Sequence, residues 1–252
     1  MKSKIFMALL LWTGICYGQE EELPTILADR PGYTWGTEVL QHHKIVWENG
    51  FQFEKSIEGA KTLSLSSSIL RYGVFKNTEI YLGTGAQVTD EGQGWDFNAI
   101  GIAPMLFGVK IKCYEGDGYL PSVGVLAEIR SPHIGSKDLL PSDIAPCLYF
   151  LLEQPIFERL SLCYNAGLEW DGESSTPTTF LAIGAWFSIT DRLGGYLETN
   201  NYLHPKGNQY LTEFGLTWLA SSRVQLDLEA NLDFKNLGGY YAIGCGVAWL
   251  LN

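Results

Sequence analysis

The stretch that decides the fold is Val224-Gln225-Leu226-Asp227-Leu228-Glu229-Ala230-Asn231-Leu232-Asp233-Phe234. Apolar and polar residues alternate along its whole length. A period of two predicts a β-strand with one apolar and one polar face. A tilted strand needs about 9–11 residues to cross a bilayer, whereas a strand of a soluble protein typically has about 5–6. The stretch is therefore long enough to span a membrane.

The same alternation recurs along most of the chain. We predict strands at residues 44–56, 62–75, 79–88, 101–114, 121–131, 145–153, 159–170, 179–189, 193–203, 210–219, 224–234 and 240–251. Within residues 62–72 the alternation changes phase, which predicts a β-bulge and leaves the facing of Arg71 open.

The connections between these segments alternate in length. Every second one is a short turn, such as Lys76-Asn77-Thr78 or Thr190-Asp191-Arg192, and the others are generally longer and polar. This asymmetry is typical of outer-membrane barrels. In hydrocarbon every backbone polar group must be paired within the sheet, so the sheet has to close. We therefore predict an all-β fold, a closed antiparallel transmembrane β-barrel of about twelve strands with short periplasmic turns and longer outer loops; a large soluble sandwich is the alternative.

The N-terminus has the features of a secretory signal. Residues 1–18 combine the positive residues Lys2 and Lys4, a short apolar core and a small-residue cleavage site after Gly18. We expect export by this signal peptide, a periplasmic N-terminal arm at residues 19–43 and the barrel at residues 44–252 in the outer membrane. The arm has no clear period, and the sequence leaves open whether it folds into the lumen.

Composition limits the partners. Removal of Lys2 and Lys4 with the signal peptide changes the net charge from −11 to −13, which argues against nucleic acid. The cysteines and the four histidines form no metal-binding pattern, and no phosphate-binding or dinucleotide motif is present, so we expect no metal and no cofactor. A rim calcium site at Asp90, Glu91 and Asp96 is less plausible than a solvated loop. Cys147 and Cys163 could be close, although isolated thiols are the simpler interpretation.

The polar positions of the strands would face the barrel interior. The candidate pore-lining residues are Glu79, Lys110, Lys112, Glu128, Arg130, Asn165, Glu169, Glu198, Gln225, Asp227 and Glu229. Rings of carboxylates select cations, so one hypothesis is a narrow passive channel or transporter for small solutes, cationic, hydrophobic or amphipathic, of unknown identity. The other is a plugged barrel in which the basic residues pair with the carboxylates and serve only the structure.

Aromatic residues near the strand ends predict contact with membrane lipid. Transmembrane barrels carry aromatic girdles at both membrane interfaces. The candidate girdle residues are Phe75, Trp170, Phe187, Trp218 and Trp249.

Catalysis is the weakest of the functional hypotheses. A hydrolase would need a nucleophile and a base, for example His133 with Ser131 or Ser136 and with Asp138 or Asp143. These residues share one predicted outer loop, where a solvated histidine is the simpler interpretation. We therefore predict no catalytic residues and no enzyme.

The hairpin Leu70-Arg71-Tyr72-Gly73-Val74-Phe75-Lys76-Asn77-Thr78-Glu79 resembles one in the outer-membrane family labelled "putative meta-pathway of phenol degradation". Similar matches are Asp29-Arg30-Pro31, Gly108-Val109-Lys110, residues 121–132 with Glu128, residues 162–167, Thr190-Asp191-Arg192-Leu193 with Glu198, and Gln225-Leu226-Asp227. The resemblance spans most of the mature chain and implies an outer-membrane transporter. Folding of such barrels by the barrel assembly machinery is implied as well, although the chain ends in Asn252, without the terminal aromatic residue typical of bacterial barrels.

Overall fold

The structure is a computed structural model that describes residues 25–57, 59–90, 100–233, 235 and 239–252. In these ranges the chain forms strands and one short 3-10 helix, and no helix there is long and apolar enough to cross a membrane. The elements are β1 (Ile45–Lys55), β2 (Lys61–Phe75), β3 (Thr78–Asp90), β4 (Gly101–Ile102), β5 (Leu106–Tyr114), β6 (Ser122–Arg130), η1 (Lys137–Leu139), β7 (Ala145–Phe157), β8 (Leu160–Glu169), β9 (Thr178–Ser188), β10 (Leu193–His204), β11 (Gly207–Ser221), β12 (Val224–Leu232) and β13 (Tyr241–Leu250).

Twelve of these strands form one closed antiparallel ring. Neighbours in sequence pair with each other, β3 pairs with β5, and the two-residue β4 pairs only with β3. The ring closes between β1 and β13, from the pair Val46–Leu250 to the pair Lys55–Tyr241. Closure pairs the strand edges, as a hydrocarbon surrounding requires. The predicted barrel of about twelve strands is confirmed.

The faces of the strands are inverted relative to a soluble protein. Leu226 and Leu228 on β12 are 39% and 61% exposed, whereas Asp227 between them is only 4% exposed. A sandwich in water would bury the leucines against a second sheet and expose the aspartate. The apolar row therefore faces the outside of the barrel, where lipid would cover it, and the polar row faces the lumen.

The predicted bulge lies at Leu65. Ser64 pairs with Gln87 and Ser66 pairs with Ala86, so Leu65 is an extra residue on β2. A bulge of one residue reverses the alternation that follows it. It turns Arg71 into the lumen, where its side chain is buried.

Several predicted strands have different ends in the structure; β7, for example, continues to Phe157 instead of residue 153, and β11 covers Gly207–Ser221 instead of residues 210–219. The segment at residues 101–114 is divided between β4 and β5 because Pro104 has no N–H for a sheet hydrogen bond, and Met105 instead bonds to Ile134 in the following loop. The segment at residues 224–234 ends at Leu232. Phe234 and the predicted signal peptide at residues 1–18 lie outside the described residues.

Candidate functional site: the barrel lumen and its N-terminal arm

Residues 26–40, here called the arm, lie inside the barrel. The chain enters and leaves the lumen at the rim that carries the short turns. The amide of Ile26, at the start of the arm, bonds to Ser222 in the β11–β12 turn, and the amide of His43, just after the arm, bonds to Gly73 near the end of β2. Of the two placements that the sequence leaves open for residues 19–43, the described part thus adopts the one inside the lumen.

The wall of the barrel satisfies the backbone of the arm. Irregular backbone is tolerated at membrane depth only where protein groups or water provide its hydrogen bonds. Arm amides donate to inward side chains as follows: Asp29 to Glu48 (2.9 Å), Tyr33 and Thr34 to Glu198 (2.6 and 3.1 Å), Trp35 to Asn165 (2.8 Å), Thr37 to Glu153 (2.8 Å) and Leu40 to Glu79 (2.8 Å). Most of the acceptors are carboxylates, so the acidity of the wall has a structural role.

One side of the lumen holds a cluster of three carboxylates and two cations. The Arg71 guanidinium lies 2.8 Å from Glu48, 2.8 Å from Glu79 and 3.1 Å from Asp29 of the arm. The Lys110 ammonium lies 2.7 Å from Asp29 and 3.5 Å from Glu79. Because these groups are buried or nearly so, each charge depends on its partners.

A second anchor holds Arg30 of the arm against β12, which is separated from β1 by β13 alone. Its guanidinium makes two hydrogen bonds to Asp227, at 3.0 and 3.3 Å, and lies 3.7 Å from Glu229. Its carbonyl accepts a hydrogen bond from Gln225 at 2.8 Å. All three wall residues lie on β12.

Glycines on the neighbouring strands make room for Arg30. A Cβ atom added to Gly50 would lie 2.3 Å from a guanidinium nitrogen, and one added to Gly246 would lie 2.4 Å from Nε. A side chain at either position would displace Arg30. Glycine at positions 50 and 246 is therefore required for the Arg30 anchor.

Aromatic rings pack around the middle of the arm. Trp35 contacts Tyr149 and Phe180, with ring centroids 4.7 and 6.1 Å apart. The Trp186 indole donates a hydrogen bond to the Thr34 hydroxyl at 3.1 Å and stacks on Tyr196. The apolar middle and the charged anchors together hold the arm on several sides.

The arm separates two cavities. One, of about 310 Å³, opens toward the long-loop rim and is lined by Trp35, Arg71, Glu128, Arg130 and Tyr149 among others. The other, of about 190 Å³, lies toward the short-turn rim, between Glu38, Glu153, Cys163 and Trp186. Asp29 lines both cavities, so both reach the arm at this residue.

The remaining predicted lining residues also face the lumen. Glu128 accepts a hydrogen bond from Tyr81 at 2.6 Å, and Glu169 accepts one from Tyr149 at 2.9 Å. The Arg130 guanidinium donates to the Cys147 sulfur, with a nitrogen–sulfur distance of 3.9 Å. Lys112 pairs with Glu38 of the arm at 2.7 Å and with Glu115, near the short-turn rim.

The alternation of the strands does not predict the residues that complete these contacts. Asp29 and Arg30 are matched only through the family resemblance, and Glu153 is not among the predicted lining residues. One signal was available: the inward carboxylates outnumber the inward cations, so other donors were required.

The predicted girdle residues lie at or near the ends of the strands. Phe75, Phe187, Trp218 and Trp249 are exposed on the outer surface toward the short-turn rim. Trp170 follows β8 at the long-loop rim, where its indole bonds to the Ser175 carbonyl at 3.2 Å.

The loop residues considered for catalysis bond within their own region. The Ser131 hydroxyl accepts a hydrogen bond from the His133 amide at 3.1 Å, and the Ser136 hydroxyl accepts one from the Ile102 amide at 2.7 Å. Cys147 and Cys163 are free thiols. In the described parts of the chain, no three His, Cys, Asp or Glu side chains are grouped to hold a metal ion. Glu91 and Asp96 lie outside those parts.

Solved structures with similar folds are outer-membrane barrels. The structure described as "the COG4313 outer membrane channel from Pseudomonas putida F1" has a TM-score of 0.62 and 13% identity, covering 85% of this chain and 98% of that one. "KdgM porin in complex with disordered oligogalacturonate" has a TM-score of 0.56 and 9% identity, covering 81% and 99%. A NanC porin has a TM-score of 0.53 and 11% identity, covering 81% and 98%. At such identities the likeness shows the fold.

No curated protein sequence matches the chain. The family model described as "Putative MetA-pathway of phenol degradation" matches residues 28–251, which include most of the arm and the whole barrel. The chain therefore belongs to this family.

Proposed function

We propose that this protein is an outer-membrane channel for small solutes and that the arm forms its constriction. The observation that carries the proposal is the pair of lumen cavities that both reach Asp29 of the arm, one toward each rim. A barrel that served only as a scaffold would have no need of cavities that reach the arm from both rims. The folds of the COG4313 channel and of the two porins support the same function.

The lumen favours small solutes with positive or amphipathic character. Its lining residues, predicted from the sequence as a candidate pore, include more carboxylates than cations, and rings of carboxylates favour cations. The larger cavity adds aromatic surface from Trp35, Tyr149 and Tyr202. At about 310 Å³ it holds one small molecule rather than a polymer.

The route to the membrane completes the proposal. We infer that the chain is exported by residues 1–18, cleaved after Gly18 and folded into the outer membrane by the barrel assembly machinery. The exposed apolar rows and the girdle residues would then contact lipid.

A plugged barrel is the second candidate, favoured by the number of contacts that hold the arm. Residues on most sides of the wall bond to it, and both Arg71 and Lys110 pair with Asp29. In that case the arm would remain in place and the cavities would not connect.

Single-channel recording in planar bilayers distinguishes an open channel from a plugged barrel. For a channel, the purified protein should show discrete, cation-selective steps, and Arg30→Ala should enlarge them because it releases the arm from Asp227 and Glu229. Arg159→Ala is the matched control, since it removes the same charge from the exposed Arg159–Asp191 pair outside the lumen. A wild-type protein that is folded but silent, with steps only in Arg30→Ala, would support the plugged barrel. Silence of both folded proteins would contradict the channel.

A further inference from the structure

The outer surface of the barrel has a hollow beside β11, on the side that lipid would cover. Its volume is about 490 Å³. Side chains that point away from the lumen line it on four neighbouring strands. They are Leu193 on β10, Leu216 and Trp218 on β11, Leu226 and Leu228 on β12, and Cys245 on β13. The lining is apolar, so its ligand contains hydrocarbon.

The hollow extends from the short-turn rim to the middle of the membrane. Trp218 pairs with Leu226 near that rim, and Leu228 pairs with Cys245 farther along the strands. Val224 at the start of β12 and Leu228 are four residues apart, which is about 13 Å along a strand. The hydrocarbon core of a bilayer is about 30 Å thick, so one leaflet accounts for about 15 Å. The hollow therefore matches the acyl chain of a lipid in the leaflet at the short-turn rim.

Two arginines lie at the short-turn end of the hollow. Arg192 directly precedes Leu193, and its carbonyl accepts a hydrogen bond from the amide of Leu219 on β11 at 2.8 Å. Arg223 lies in the β11–β12 turn, where its Nε donates to the Leu250 carbonyl at 3.1 Å. Because β10 and β12 are the two neighbours of β11, the two arginine backbones are about 10 Å apart. Their long side chains can therefore reach one group between them.

Neither arginine has a carboxylate partner in the described part of the chain. No Asp or Glu oxygen there lies within 4 Å of a side-chain nitrogen of Arg192 or Arg223, and both residues are exposed. Asp191, which directly precedes Arg192, pairs with Arg159 at 3.0 Å. A guanidinium stays charged in proteins, so loss of a proton cannot remove these charges. The end of the hollow thus presents two positive charges, although the net charge of the chain is −11.

An anionic lipid headgroup matches this end of the hollow. Guanidinium groups bind phosphate through parallel hydrogen bonds, and basic residues beside a membrane attract anionic lipids. Trp218 and Trp249 are exposed at the same rim, where aromatic residues lie at the level of the headgroups. We propose that the hollow binds one anionic glycerophospholipid, whose phosphate contacts Arg192 and Arg223 and whose acyl chain fills the apolar part. Binding on the outer surface does not depend on whether the barrel conducts.

The positions of the charges argue against a second copy of the chain as the occupant. In a symmetric dimer both copies use the same surface patch. The two-fold axis of a membrane dimer runs along the membrane normal, so Arg192 and Arg223 of the two copies would meet at the same depth. Like charges that face each other oppose association. A lipid phosphate brings the opposite charge instead.

Native mass spectrometry of the purified protein in detergent tests the headgroup. The probes are phosphatidylglycerol, which is anionic, and phosphatidylcholine with the same acyl chains, which has no net charge. We expect one phosphatidylglycerol to bind saturably and phosphatidylcholine to bind more weakly. Arg192→Gln and Arg223→Gln should each weaken phosphatidylglycerol binding about fivefold, the effect of one basic residue at a membrane surface. Lys76→Gln is the matched control, because Lys76 is an exposed cation in the β2–β3 turn of the same rim.

Cys245→Phe tests the apolar part of the hollow, because an aromatic ring at this position would occupy it. This variant should weaken the binding of both lipids by the same factor, since their acyl chains are identical. Cys113→Phe is its control, because Cys113 is an exposed cysteine on β5, away from the hollow.

Weaker phosphatidylglycerol binding in the two arginine variants and in Cys245→Phe, with normal binding in both controls, supports the site. Equal binding of the two lipids to the wild type, or unchanged binding in the folded arginine variants, would overturn it. A lipid-free dimer that Cys245→Phe dissociates would also overturn it, because the occupant would then be a second copy of the chain.

Discussion

Arg71 is the residue on which the ion-pair cluster of the lumen depends. It compensates Glu48 and Glu79 of the wall and Asp29 of the arm, and its side chain is 2% exposed. Removing one partner of a buried pair leaves an uncompensated charge, which costs about 3–5 kcal/mol. Lys110 can replace only part of the positive charge of Arg71, since it contacts Asp29 and Glu79 but not Glu48.

We therefore expect Arg71→Met to lower the free energy of unfolding by about 3–5 kcal/mol, measured by denaturant titration of the refolded barrel. Lys112→Met is the control: its partners Glu38 and Glu115 are 46% and 70% exposed, and an exposed pair contributes about 0–1 kcal/mol. Equal losses of unfolding free energy in the two variants would show that burial of the cluster does not increase the cost of removing its cation.

The lack of a side chain at Gly246 is a second residue-scale requirement. An added methyl group would meet Nε of Arg30 at 2.4 Å and displace the guanidinium from Asp227. In bilayer recordings Gly246→Ala should therefore resemble Arg30→Ala. Because both changes act through one contact, Gly246→Ala should add nothing in the Arg30→Ala background. Additive effects would mean that Gly246 acts elsewhere in the barrel.

The strands and the arm differ in how far their sequences determine them. The period of two in β12 sets both the strand and its facing, because one slip would turn Asp227 toward lipid. The phase change in β2 likewise predicts the bulge. The arm has no period: Asp29 and Thr34 are held by Glu48 and Glu198, residues remote in sequence, through backbone amides that any residue provides. The strand pattern therefore predicts which residues face inward but not what they bind.

Deletion of Leu65 tests the bulge as an element. Without Leu65, Ser64 and Ser66 would be consecutive, opposite the consecutive residues Gln87 and Ala86, so β2 would pair as a regular ladder and Arg71 would still face the lumen. We therefore expect the Leu65 deletion to fold, measured as retention of the heat-modifiable band on gels.

Deletion of Leu228 is the contrasting variant, because β12 pairs without a bulge on both sides of this residue. Its loss would turn either Asp227 or Glu229 toward lipid, so this deletion should abolish folding. A Leu65 deletion that also fails to fold would mean that the bulge itself, and not only the register after it, is required.

At the scale of the whole molecule, the barrel has polar side chains inside and apolar side chains outside, the reverse of a soluble protein. The lumen buries Asp227, Glu198 and Asn165, while Leu228 and Ile243 lie about 60% exposed on the surface. Such a surface would aggregate in water, so the protein as a whole requires lipid or detergent. The cost of a charge on this surface depends on depth, from about 2–4 kcal/mol at the midplane to about 0–1 near the interfaces.

Leu228 lies in the middle of β12 and Val224 at its short-turn end, on the same outward face. In lipid vesicles, Leu228→Arg should therefore lower the free energy of unfolding by about 2–4 kcal/mol, and Val224→Arg by about 0–1 kcal/mol. In detergent micelles, which adapt around a charge and bring water closer, the difference between the variants should shrink. A soluble protein would show no such dependence on lipid, so equal losses for the two variants in vesicles would contradict the outward facing of β12.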